Sequence, residues 1–216
     1  MFDYIFFDLD GTLTDSSLGI TNSFIYALKY YGEEIPSYKK LCTFIGPPLL
    51  ETFKTQFGFN DEKSAEAVKK YREYFESKGL FENSVYQDIP EILQKFKIAG
   101  KHLVVATSKP EKYSVQILEF FNLAKYFDFI CGSHMDESHS KKDEIIASGL
   151  KKCNIKTDDQ KSKVIMIGDR LHDIIGAKKN GIKSAGVLFG FGNLSELQNA
   201  GADYIIKTVT DLEQFL

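Results

Sequence analysis

Three kinds of feature are missing from this sequence, and each absence narrows what the chain can be. Cysteine occurs only three times in 216 residues, as Cys42, Cys131 and Cys153, an odd number without a paired spacing. A disulfide framework is not expected, and a reducing cytoplasm fits better. No apolar run approaches the roughly 20 residues that span a bilayer. The amino terminus enters an apolar stretch without a basic flank or cleavage site, so neither a membrane partner nor a signal peptide is expected. Excess charge of one sign is lacking too: 27 basic and 30 acidic residues leave a formal net charge of -3. Nothing global draws such a chain to a nucleic acid polymer, so an anionic substrate has to be held by local charge. Internal repeats and low-complexity tracts are also absent, and the expectation is a soluble cytoplasmic protein, a monomer or weak dimer.

What is present begins with Tyr4-Ile5-Phe6-Phe7-Asp8-Leu9-Asp10-Gly11-Thr12-Leu13. The apolar run reads as a buried strand of a parallel sheet, and its carboxyl end delivers two aspartates into a glycine turn. Ligands of open α/β sheets bind just beyond such strand ends. An EF-hand is excluded, because the third ligand, the spaced glycine and the closing glutamate are missing. From Asp15 onward the pattern turns helical. Phe24, Leu28 and Tyr31, then Leu50 and Phe53, then Val68, Tyr71 and Phe75 recur at helical spacing and form a core, with Asn60 placed to cap the longest helix. Past Tyr86, strands at 102–107, 129–131, 164–167, 185–188 and 204–206 alternate with helices. That rhythm predicts an α/β fold, a parallel sheet with helices on both faces.

Other strand ends carry chemistry that can meet Asp8 and Asp10. Thr107-Ser108-Lys109-Pro110-Glu111 reads as a capping box, Ser108 with Glu111, at a helix start that also suits a phosphate. Gly168-Asp169-Arg170-Leu171-His172-Asp173 brings two more acids, the second opening a helix. Carboxylates converging at one sheet edge repel, and a hard divalent cation with oxygen ligands relieves that, Mg2+ being the natural choice. Lys141 and Lys142 precede the fourth strand, and Lys142, opening a helix on that rim, is preferred as the site cation.

Asp8-x-Asp10-Gly11-Thr12, Thr107, Lys142 and Gly168-Asp169-x3-Asp173 resemble the four motifs of the haloacid dehalogenase-like hydrolase superfamily, in the superfamily's order. The similarity is greatest to its phosphoglycolate phosphatase-like branch, through Phe44-Ile45-Gly46-Pro47-Pro48-Leu49 and the stretch from Gly168 to Ala177. The resemblance implies a Rossmann-like core at 1–14 and 86–216 and a helical cap domain at 15–85 inserted after the first strand. It implies a phosphatase that hydrolyses a small phosphorylated metabolite through an aspartyl-phosphate on Asp8, with Asp10 as acid and then base. Asp8, the backbone carbonyl of Asp10, and Asp169 would hold Mg2+. Gly11, Thr12, Thr107, Ser108 and Lys142 would bind phosphate, Thr107 and Lys142 also serving catalysis, and Asp173 would support the metal water or Lys142. Gly46 and Pro47 are the candidate specificity residues, since glycine admits a ligand to the backbone and proline stiffens a tip.

Two positions depart from the pattern: Gln87-Asp88 stands where Pro-Gly is common, and His139 where related nucleotidase-like sequences often carry arginine. Besides phosphoglycolate, a nucleoside 5′-monophosphate is a serious alternative substrate. A sugar phosphomutase is disfavoured by Thr12, where related mutases tend to have valine, and a non-catalytic binding domain by the full set of acids and lysine. Gly190-Phe191-Gly192 lacks the third glycine of a dinucleotide loop and reads as a flexible turn.

Overall fold

The computed structural model describes residues 1–136 and 138–216. The apolar run forms β1 (Tyr4–Phe7). The chain then passes through β2 (Thr14–Asp15) into α1 (Ser17–Tyr30), α2 (Tyr38–Cys42), α3 (Leu49–Phe57) and α4 (Asp61–Tyr74), the last continued by a π-turn at Phe75–Gly79. It returns through β3 (Ser84–Val85) and alternates as α5 (Ile89–Ile98), β4 (His102–Pro110), α6 (Glu111–Phe120), β5 (Phe129–Ser133), α7 (Lys142–Lys152), α8 (Asp158–Lys161), β6 (Val164–Gly168), α9 (Leu171–Asn180), β7 (Lys183–Val187), α10 (Leu194–Ala200) and β8 (Tyr204–Ile206). Two compact units result, Met1–Thr14 with Val85–Leu216, and Asp15–Ser84.

In the first unit all pairings of the six-stranded sheet are parallel, in the order β5-β4-β1-β6-β7-β8. The chain builds outward from β1 on one side, then crosses back to lay β6 on the other. Strand order therefore reverses at β1, where the carboxyl ends of α/β strands leave a crevice for ligands. Alternation along β1 serves both faces. Phe6 packs with Ile145, Ile146 and Ala177 from α7 and α9, while Phe7 meets Phe96 of α5 and Phe127, each at 6.2 Å between ring centres. A strand covered on both sides has no polar face, which is why the run is unbroken.

The β4 end corrects one expectation. The strand runs on to Pro110, after a register irregularity that pairs Pro110 with Ser133. The capping box between Ser108 and Glu111 is not made. Ser133 Oγ donates to the Ser108 carbonyl at 2.9 Å, and Glu111 Oε2 accepts the Gly132 N–H at 3.4 Å. Sheet pairing outcompetes the local cap because it also satisfies neighbouring backbone. The departure at Gln87-Asp88 has a visible consequence: Asp88 takes φ 68°, the left-handed region that glycine occupies without penalty.

The second unit is organised around Phe24, whose ring lies 5.6 Å from Phe44, 5.4 Å from Phe53 and 5.1 Å from Tyr71. Asn60 caps α4, its Oδ1 accepting the Lys63 N–H at 2.8 Å. The backbone of α1 at Gly19 packs directly on Gly79, where a Cβ would strike the Gly79 carbonyl.

Candidate active site

The turn after β1 is drawn tight by one carbonyl. Leu9 O accepts the N–H groups of Thr12, Leu13 and Thr14 at 3.2, 2.9 and 3.1 Å, and Gly11 N–H donates to Thr14 O at 2.8 Å. Gly11 sits at φ 82°, and a Cβ there would run into the Asp169 carboxylate and the Phe191 ring. Conformation and space both require glycine. Asp8 extends the sheet by one bond, its N–H donating to Ile167 O at 2.9 Å, so its carboxylate leaves the sheet between β1 and β6.

There it meets the acids that follow β6. Carboxylate oxygens of Asp8, Asp169 and Asp173 lie within 4.8 Å of one another, and all three residues are buried. Lys142, the first residue of α7, reaches in with its whole side chain. Its Nζ pairs with Asp8 Oδ1 and Asp173 Oδ1, each at 2.8 Å, and donates to Ala106 O at 3.0 Å. Lys141 is exposed, so the two adjacent lysines differ sharply in placement. Asp10 pairs with Lys109, Oδ2 to Nζ 2.9 Å, both side chains largely buried, while its Oδ1 is buried without a hydrogen-bond partner.

The electrostatics follow from crowding. Burial pushes the Asp169 carboxyl far above the usual range, and Asp173 and Asp8 push it further. Asp173 is raised to about 6, again by burial first, with Lys142 pulling it down and Asp8 pushing it up. Burial works against the Lys142 ammonium, yet Asp173 and Asp8 outweigh it and raise that pKa. Four carboxylates, those of Asp8, Asp10, Asp169 and Asp173, stand against the paired ammonium groups of Lys142 and Lys109. Two negative charges remain to be compensated. An all-oxygen donor set with that residual charge fits a hard divalent ion such as Mg2+.

Thr12 is buried, its hydroxyl donating to Asp169 Oδ1 over a long 3.4 Å. Thr107, also buried, lies on β4 beside β1 and accepts the Lys109 N–H at 3.3 Å; Ser108 follows it half-buried. Gly46 and Pro47 belong to the other compact unit, in the bend before α3, with Gly46 at φ 112°. Two features escaped the sequence reading. Lys109 carries no sequence signal of a role beyond standing two residues past Thr107, yet its ammonium pairs with Asp10. Gly190-Phe191-Gly192 is not a loose turn: the Phe191 N–H donates to Asp169 Oδ2 at 2.8 Å, and both glycines lie hard against Asp169.

A family model for haloacid dehalogenase-like hydrolases matches residues 5–187. The 5′-nucleotidase of Pseudomonas aeruginosa is 40% identical over 212 residues, which make up 98% of this chain and 94% of that protein. Tyrosine-protein kinase PtkA of Mycobacterium tuberculosis is 35% identical over 95% of this chain, which spans 66% of the kinase. The crystal structure of a predicted phosphatase from Clostridium acetobutylicum superposes with a TM-score of 0.93 at 48% identity, covering 99% of this chain and 97% of that one. With a family match that runs from β1 to the end of β7, and relatives that align along nearly the whole length, this chain belongs to the haloacid dehalogenase-like hydrolases.

Proposed function

We propose that this phosphatase is Mg2+-dependent and hydrolyses a small phosphomonoester through an aspartyl-phosphate on Asp8. The observation that carries the reading is the buried cluster of Asp8, Asp169 and Asp173 held by Lys142 at the tip of β1 and β6. In the first half-reaction an Asp8 oxygen attacks phosphorus as the bond to the leaving oxygen breaks, and Asp10 gives that oxygen a proton. In the second, water attacks phosphorus, Asp10 takes a proton from it, and inorganic phosphate leaves with Asp8 restored. The unpartnered Oδ1 of Asp10 is the atom suited to exchange that proton. Lys142 holds the Asp8 carboxylate through its 2.8 Å ion pair and neutralises charge on the transferring phosphoryl group, while Thr107, Ser108, Gly11 and Thr12 hold its oxygens. Asp8, Asp169 and the Asp10 carbonyl would hold Mg2+, which when bound supplies the positive charge that the acids lack.

Among small esters, a nucleoside 5′-monophosphate is favoured over phosphoglycolate, because a relative sharing 40% of its residues is a 5′-nucleotidase. A cytoplasmic location belongs to the same reading and agrees with three free cysteines; no helix of the described residues is long and apolar enough to cross a membrane. The test is a panel of nucleoside monophosphates, phosphoglycolate, sugar phosphates and a phosphotyrosine peptide, assayed with Mg2+ beside Asp8→Asn. Turnover of one small ester, lost in Asp8→Asn and in EDTA, is expected. Undiminished turnover in either, or preference for the peptide, overturns the reading. Gly46→Val in the same panel tests the specificity role of the Gly46-Pro47 bend: KM should rise or the order of substrates change.

A further inference from the structure

The segment following β7 has no part in the proposed chemistry, yet it lies directly against Asp169. Its glycines need an explanation other than backbone freedom, because neither Gly190 nor Gly192 is among the glycines with positive φ. Space explains them. A Cβ on Gly190 would collide with the Gly11 carbonyl oxygen and the Asp169 side chain, and one on Gly192 with the Asp169 carbonyl oxygen. The loop thus lies backbone-on-backbone across the end of β6, with Gly11 closing on the same carboxylate from the β1 side. Between the two glycines, the Phe191 N–H donates to Asp169 Oδ2 at 2.8 Å. That bond occupies one carboxylate oxygen and fixes the plane of the group, while Oδ1 takes a long 3.4 Å contact from Thr12.

The same segment grips the next two residues. Glu196 of α10 accepts from Arg170 Nε and from the Leu171 N–H, both at its Oε1 and both at 2.9 Å. The ion pair is mostly buried, 14% and 16% exposed on its two sides, so its geometry is not free to drift with solvent. Arg170 N–H in turn donates to Asp173 Oδ2 at 3.1 Å. Asp169 and Asp173 are therefore both oriented by a turn that residues 190–196 pin from outside.

We propose that Gly190–Glu196 is a positioning strap for the acid cluster, setting its affinity for a divalent cation by fixing the orientation of Asp169. The inference rests on the metal reading given under Proposed function. It also has a physical rationale: acids that repel one another turn apart unless their carboxylates are held, and every degree of freedom removed beforehand is one the cation need not freeze.

Calorimetric titration of Mg2+ into EDTA-stripped protein, together with thermal melting of the metal-free form, tests this on wild type, Gly190→Ala, Glu196→Ala and Glu196→Gln. Gly190→Ala should weaken Mg2+ binding by about 10–100-fold, the range for loss of a ligand's outer support. Glu196→Ala should weaken it less, and Glu196→Gln, which keeps an acceptor for the Leu171 N–H, should recover part of that loss. In all three, kcat at saturating Mg2+ should fall less than Mg2+ affinity. Wild-type affinity in folded Gly190→Ala and Glu196→Ala, with only a lowered melting temperature, overturns the proposal. Should Gly190→Ala not fold, the Glu196 pair decides by the same criterion. Absence of Mg2+ binding in the wild type sinks the metal reading itself, an outcome distinct from wild-type binding that the variants leave untouched.

Discussion

Among the described residues, the helical unit Asp15–Ser84 buries no charged side chain, whereas the sheet unit buries Asp8, Lys101, Lys142, Asp169 and Asp173. The helical unit fills its interior with Phe24, Leu28, Phe53, Ala67 and Tyr71, and the polar side chains it does bury are short hydroxyls. Several of these turn back on their own helices: Ser23 Oγ donates to Gly19 O at 2.6 Å and Thr52 Oγ1 to Pro48 O at 3.1 Å. Such groups cost little to bury because their partners are local. The sheet unit does the opposite at one strand edge, gathering acids that repel each other and raising two of their pKa values. A fold tolerates that where chemistry needs it, and the remainder of the sheet, with Ile5, Phe6, Phe7, Ile165 and Ile167 fully buried, supplies the stability that offsets it.

The contrast can be broken in order of effect. Phe53→Ala removes a fully buried ring from the helical core and should cost ~3–5 kcal/mol in denaturant unfolding, at any pH where the protein folds. Lys142→Met should cost a comparable ~3 kcal/mol near pH 7, because Asp8 and Asp173 lose their shared cation, and it should abolish turnover as well. An apolar-core substitution and a charge substitution thus give similar losses, but only the second should shrink as pH falls. A Lys142→Met penalty independent of pH would mean that the ammonium matters only for its packing.

Metal-free stability should itself depend on pH in an unusual direction. Asp169 and Asp173 have folded pKa values above their unfolded ones, so between about pH 4 and the folded values the native state binds more protons than the unfolded state. Stability contributed by these two groups is therefore full at low pH and lost as pH rises through about 6 and beyond, the reverse of the usual salt-bridged carboxylate. Melting of EDTA-treated protein should show a loss on the order of 1–3 kcal/mol from pH 5 to pH 8, restored by Mg2+. A flat profile would show that the cluster is relieved in some other way. The smallest effect is expected at Asp88, where glycine removes a left-handed penalty but adds unfolded-state freedom: Asp88→Gly should change stability by less than ~1 kcal/mol, toward stabilisation.

Much of this is legible in the sequence alone. The unbroken Tyr4–Phe7 run, the later alternation of strands and helices, and the acids at the ends of β1 and β6 defined an α/β sheet with a carboxylate edge, because burial on two faces and the position of strand ends leave direct traces in residue type. Helical spacing picked out Phe24, Leu28, Tyr31, Leu50, Phe53, Val68, Tyr71 and Phe75 as core for the same reason; Tyr31 and Leu50 are only half-buried, and the rest are buried. The family likeness followed from motif order. What the sequence could not decide were contacts between residues far apart along the chain. Lys141 and Lys142 differ by one position, and only the entry angle of α7 sends one inward and the other to solvent. Lys109 reads as an ordinary residue of a strand end until β4 is laid beside β1 and its ammonium meets Asp10. Ser108 and Glu111 carry a valid local cap signal, which β5 overrides by pairing across it. Gly190 and Gly192 look like flexibility when only backbone freedom is considered, and become obligatory only when the segment after β7 crosses Asp169, since the space a side chain would need is set by a residue more than twenty positions away in the chain.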